Sequence, residues 1–214
     1  MKKLLLTAAF AAPFMLNSQT IASEDFESYT NGDLLTDVGG ANGWREWGAD
    51  FGTASGGYSA LASSDYASSG MMSGRSVSNT TVDSDALWTW TDVTTGQYSV
   101  NMNVLVPVGS AGGYIGIGDS QMDILATYAS MYYILLGDSV LLGSDGTDYI
   151  VQAPLIVGDW NSIHLMVDLD AGTSEVMLNG VSVGTGTTGD LATNGLGGLD
   201  LWGTGIDVTV NPAE

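Results

Sequence analysis

The sequence predicts an all-β protein: an antiparallel two-sheet β-sandwich of jelly-roll type. Three observations carry that reading. Apolar residues recur with period 2 rather than 3.6 from about residue 24 onward. Runs of four to nine such residues return roughly every ten positions, separated by Gly, Asp, Asn and Ser, the turn formers. The chain of 214 residues carries 30 glycines and only four prolines, a composition suited to many tight turns between short strands.

Taken in order, the amino terminus stands outside this pattern. Lys2 and Lys3 precede LLLTAAFAAPFML and then the small, polar NSQTIAS. A basic start, an apolar run too short for a bilayer and a small-residue end describe a secretory signal peptide, residues 1–22. Cleavage after Ala22 and cleavage after Ser23 both fit. Residues 23–214 then form a single β-sandwich domain, secreted, periplasmic or on the cell surface, with no further apolar run of 18 residues. Removing the leader takes Lys2 and Lys3 with it. Arg45 and Arg75 remain against 24 acidic residues, so the mature net charge is −22. Such a surface repels nucleic acid and anionic membranes, and it suits high salt or calcium. The chain has no cysteine, which excludes disulfides, thiol catalysis and cysteine-bound metal.

Within the domain, YSVNMNVLVP (98–107) puts Tyr98, Val100, Met102, Val104 and Val106 on one face and ends at Pro107. GYIGIG (113–118), SMYYILLG (130–137), SVLLG (139–143) and DYIVQA (148–153) follow as strands. SIHLMVDLD (162–170) aligns Ile163, Leu165, Val167 and Leu169, and SEVML (174–178) returns from the DAGT turn. Asn179-Gly180 is a strong hairpin signal, and DLWG and IDVTV close the chain. SSDYASSGMMSGRS (63–76) has no alternation and reads as a loop.

Several of these residues carry a resemblance. Trp160-x-x-Ile163-x-Leu165-x-Val167-Asp168, then Gly172, then Val176-x-Leu178-Asn179-Gly180-x-x-Val183, resembles the late hairpin of concanavalin A-like lectin/glucanase domains, laminin-G-like modules included. The opening Asp25-Phe26-Glu27-x-Tyr29-x-x-Gly32, followed by Gly43-Trp44, is similar to the start of many bacterial secreted members. The resemblance implies a two-sheet jelly roll whose concave face receives a carbohydrate. It also implies a calcium near the first and last strands, for which Asp25 and Asp207 are the candidates. The family often carries paired acidic residues there, whereas Asp207 stands alone.

Catalytic signals are weak. His164, the one histidine, alternates with Ile163 and Leu165 and reads as a sheet residue, with no second His or Cys to share a metal. Glycoside cleavage needs two converging carboxylates. The five Glu, at 24, 27, 46, 175 and 214, do not form the Glu-x-Asp-x-x-Glu strand of glucanases of this fold. Two arginines do not make the Arg-rich strand of its lyases. The pairs Asp83/Asp85, Asp119/Asp123, Asp145/Asp148 and Asp168/Asp170 read as turn residues bonding their own backbone. Sugars stack their C–H faces on indole and phenol rings, so Trp47, Trp88, Trp90 and Tyr132 are the candidate carbohydrate contacts. Trp88 and Trp90 share a face, while Trp44, Trp160 and Trp202 read as core. The expectation is a non-catalytic carbohydrate-binding or adhesive module for a neutral or cationic glycan, with calcium as a stabilising cofactor. A self-associating surface protein and an unconventional glycoside hydrolase or polysaccharide lyase stay open as alternatives.

Overall fold

The computed structural model describes residues 20–47, 59–76, 84–109, 113–122, 132–137, 140–144, 149–203 and 208–212, with backbone pairing alone for 132–152 and 208–212. Alternating, β-branched and aromatic-rich segments become strands, and glycines with Asp or Asn turn the chain between them. Fourteen strands appear among these residues. In chain order they are β1 (Trp44–Glu46), β2 (Leu61–Ser63), β3 (Ser73–Ser76), β4 (Asp85–Val93), β5 (Gln97–Leu105), β6 (Gly113–Gly118) and β7 (Tyr132–Gly137). Then come β8 (Val140–Ser144), β9 (Tyr149–Pro154), β10 (Trp160–Asp168), β11 (Thr173–Leu178), β12 (Val181–Thr187), β13 (Leu196–Gly203) and β14 (Val208–Pro212). Two one-turn helices, α1 (Leu35–Val38) and α2 (Leu191–Asn194), fill gaps. No helix among the described residues is long and apolar enough to cross a membrane.

The strands form two antiparallel sheets of seven. The first runs β1-β4-β13-β6-β7-β8-β9 and the second β12-β11-β10-β5-β14-β3-β2. In the second sheet Ile163 lies between Met102 and Leu178, and Leu165 between Val100 and Val176. These residues face the first sheet's Trp44, Ala86, Ile115, Ile117, Leu199 and Leu201 in one continuous core. The period-2 pattern read in the sequence is therefore the inward face of each sheet. The hairpin β11–β12 turns at Asn179 and Gly180 with φ of 50° and 78°. Both values are positive, as the mirror-image two-residue turn requires.

Two segments differ from expectation. Ser73–Ser76, inside the run expected as loop, is a strand pairing with both β2 and β14. Its SGRS sequence shows no alternation because Gly74 lies against the Phe26 ring. A Cβ there would come within 2.7 Å of Phe26 Cζ. Trp160 and Trp202 are half-buried rather than core. Trp202 alternates with Leu199 and Leu201, so it points out of the sandwich and stacks on Tyr114, ring centroids 4.7 Å apart.

Candidate functional site

The amino-terminal turn and β4 build the most structured polar–aromatic constellation at one end of the sandwich. Glu24 is only 6% exposed. Its Oε1 accepts the Phe26 N–H at 3.0 Å, and its Oε2 accepts the Tyr29 hydroxyl at 2.8 Å and the Trp44 indole N–H at 3.0 Å. Phe26 takes a φ of 63°, a left-handed backbone rare for an aromatic residue. That turn puts its ring 6.0 Å from the Trp44 ring and 6.3 Å from that of Tyr29. Burial pushes the Tyr29 hydroxyl up to about 12, the Asn42 amide opposes this, and Glu24 adds to it.

From Trp44 the aromatic series continues outward. Trp44 is paired with Trp88 across β1–β4, and their rings stack at 6.1 Å with 19° between planes. Trp90, two residues along the same face, meets Trp88 edge-on at 5.3 Å and 62°. The Trp88 indole N–H donates to the Asn42 carbonyl at 2.8 Å, which fixes its ring against the short 3-10 turn Gly40–Asn42. Gly43, with φ of 97°, lets that turn lie directly on β4: its carbonyl accepts the Thr89 N–H at 3.0 Å.

Between the turn, β4 and residues 21–25 lies an open trough of about 710 Å³. Trp88 and Trp90 form its aromatic wall, with Glu24, Asp25 and Asn42 as polar neighbours. Ile21, Ala22 and Ser23 form another part of the wall, and no Lys, Arg or His lines it. Aromatic carbon beside carbonyl and carboxylate acceptors matches what a sugar ring presents, an apolar face edged by hydroxyl donors.

The remaining sequence-predicted residues scatter around this point. Trp88 and Trp90 lie together on the inward-facing side of β4, packed against the end of the core and open to the trough. Trp47 lies on the opposite face of the same sheet, against Leu87 and Met122. Tyr132 opens β7 opposite Ile117. Asp25 is exposed in the trough, where its Oδ1 accepts the Glu27 N–H at 3.0 Å. Asp207 lies outside the described residues, as do Asp83, Asp123, Asp145 and Asp148. Among the described residues no three His, Cys, Asp or Glu gather in a metal-holding group.

His164 is half-buried on the outer face of the second sheet, its Nε2 2.9 Å from the Ser162 hydroxyl. Asp168 caps its own turn, accepting the Ala171 N–H at 2.8 Å and the Gln97 amide at 2.7 Å. Those two bonds hold its carboxyl below the usual carboxylate value, the backbone bond contributing most.

A second polar constellation escaped the sequence reading. On the outer face of the first sheet, Arg45 and Asp200 are 4% and 5% exposed, and Asp119 is 2% exposed. They are covered because the turn at residues 119–122 folds back over β13. Arg45 Nη2 donates to the Ser120 carbonyl at 3.0 Å. Asp92 accepts the Ser120 N–H at 2.8 Å and its hydroxyl at 2.6 Å. The signal was present as glycines inside strands, Gly118 in β6 and Gly197-Gly198 in β13, a mark of close approach. A Cβ on Gly198 would lie 2.5 Å from Met122 Cε.

Among the described residues, fourteen antiparallel strands in two facing sheets, with the late hairpin on the second, make a β-sandwich of jelly-roll type. Solved structures with the same architecture include the catalytic domain of a GH131 beta-glucanase from Podospora anserina. It is 12% identical, with 91% of this chain and 94% of that one covered and a TM-score of 0.58. An endo-beta-1,4-glucuronan lyase from the fungus Trichoderma reesei is 10% identical over 86% of this chain and 93% of the lyase, at a TM-score of 0.50. A sialidase matches 85% of this chain at 9% identity and a TM-score of 0.55, yet the chain spans only 18% of the sialidase's length. No protein-family model and no curated protein matches the sequence. At such identities the likeness is one of fold, and this fold hosts unrelated activities.

Proposed function

We propose that this chain is an exported, non-catalytic carbohydrate-binding module, and that the trough beside Trp88 and Trp90 receives a neutral or cationic glycan. The observation that carries the reading is the trough itself, two half-buried indoles beside carboxylate and carbonyl acceptors. Its charge supports the preference: carboxylates, indole faces and a net charge of −22 attract cations and repel polyanions. The state of its carboxylates supports the absence of catalysis. Both oxygens of Glu24 are engaged by three donors, and Asp25 bonds its own turn. An acid–base pair needs a carboxyl group free to trade a proton with the substrate. The leader at 1–22 supports export, to the cell surface, the periplasm or the medium. Calcium at Asp25 and Asp207 belongs to the same proposal and is tested by thermal melts in calcium and in EDTA.

The deciding experiment is a glycan array with the mature chain, in calcium and again in EDTA, with Trp90→Ala alongside. Binding that Trp90→Ala weakens supports the proposal. Folded protein that binds nothing in either condition sinks it. Should that protein also sediment faster with concentration, the self-associating alternative takes its place.

A further inference from the structure

We propose that the exported chain begins at Ser23 and that its new α-ammonium group forms a positively charged rim of the Trp88–Trp90 trough. The two cleavage positions that the leader allows differ in where they leave a charge. Cleavage after Ala22 puts the ammonium on Ser23, an exposed residue in the trough wall. Cleavage after Ser23 puts it on Glu24, which is almost wholly buried and whose carboxylate is already committed to three donors. Stripping water from an ammonium group is unfavourable unless a dedicated partner replaces it, so the folded domain tolerates the first terminus and resists the second.

The same cut remodels the trough. Ile21 and Ala22 line it in the uncleaved chain, and processing removes both. What replaces them is the one cation of that region. Lys2 and Lys3 leave with the leader, Arg45 is bonded to Ser120 on the far face of the first sheet, and Arg75 is paired with Asp65. The titratable side chains that line the trough with it are those of Glu24 and Asp25, and a carboxylate close by favours a charged ammonium. The ammonium donates hydrogen bonds outward, toward hydroxyl or carboxylate oxygens of whatever enters. This inference rests on the leader and the trough geometry, and it stands whether or not the ligand is a glycan.

Two measurements test it. Amino-terminal sequencing and intact mass of protein exported to a bacterial periplasm should give Ser23 as the first residue. A start at Glu24, or retention of Ile21, overturns the assignment. The trough placement is read from tryptophan emission, which responds to the charge of a neighbouring amine. A chain starting at Ser23, carrying His164→Gln so that the histidine contributes nothing, is titrated from pH 6 to 10. An α-amino group titrates near about 7.7–8.0, inside this interval. A step in emission there, abolished by Nα-acetylation, is the expected result. No step, or a step that survives acetylation, overturns the placement.

Discussion

Replacing Glu24 with alanine strips an acceptor from three donors at once. The Phe26 N–H and the Trp44 indole N–H are buried, and both donate to this carboxylate. An orphaned buried donor costs about 1–3 kcal/mol. Tyr29 fares better, because its hydroxyl is only partly buried and water can accept its proton in place of Glu24. Relief of the desolvated carboxylate offsets part of the loss. The net destabilisation should therefore be about 3 kcal/mol, a sizeable part of the roughly 5–15 kcal/mol that holds a domain folded. Urea unfolding followed by tryptophan emission should show the midpoint falling by roughly 1–3 M, since m runs at about 1–3 kcal/mol/M. Glu24→Gln keeps one carbonyl acceptor, and the Tyr29 hydroxyl can rotate to accept from the amide, so its midpoint should fall about half as far. Equal, small shifts for both variants, below roughly 0.3 M, would refute the view that this carboxylate organises the aromatic series.

Four further variants have outcomes set by the structure. Gly43→Ala puts a Cβ 2.3 Å from the Thr89 carbonyl at a φ of 97°, and should cost at least about 2 kcal/mol, seen as a lower Tm. Gly180→Ala, with φ of 78° but nothing within 4 Å, should cost about half of that. Because Tyr29 holds its proton up to about 12 in the folded chain against about 10 unfolded, the unfolded state loses that proton first. Its stabilising contribution is thus complete below pH 10 and fades as the pH rises toward 12, and Tyr29→Phe should flatten this part of an alkaline unfolding curve. Trp90→Ala should weaken glycan binding on the order of tenfold while leaving the circular dichroism of the sheets unchanged.

Much of the fold was legible because the core is built from alternation. Ile163, Leu165 and Val167 could be assigned to one face from spacing alone, and the Asn179-Gly180 turn from residue type. β3 was not legible, since its role is to let Phe26 lie flat on Gly74, a contact between residues 48 positions apart. The candidate site was half legible. Spacing puts Trp88 and Trp90 on one side of a strand, but which side faces the core depends on the strands that flank it. Glu24 gave no signal beyond being acidic; its partners Tyr29 and Trp44 converge only after β1 has joined β4. The covered face at Arg45, Asp119 and Asp200 could have been suspected from glycines inside strands, though not located.

The position of β14 has a consequence for how the chain reaches this fold. It lies between β5 and β3, paired with both, so the earliest strands of the second sheet, β2 and β3, join the rest of that sheet only through its last strand. Among the described residues, β14 is the strand that pairs with both β3 and β5, so without residues 208–212 the sheet is two pieces. A sheet closed by its final strand is assembled after synthesis rather than during it. Under the proposed export of the chain, that order postpones completion of the sheet until the last strand has followed.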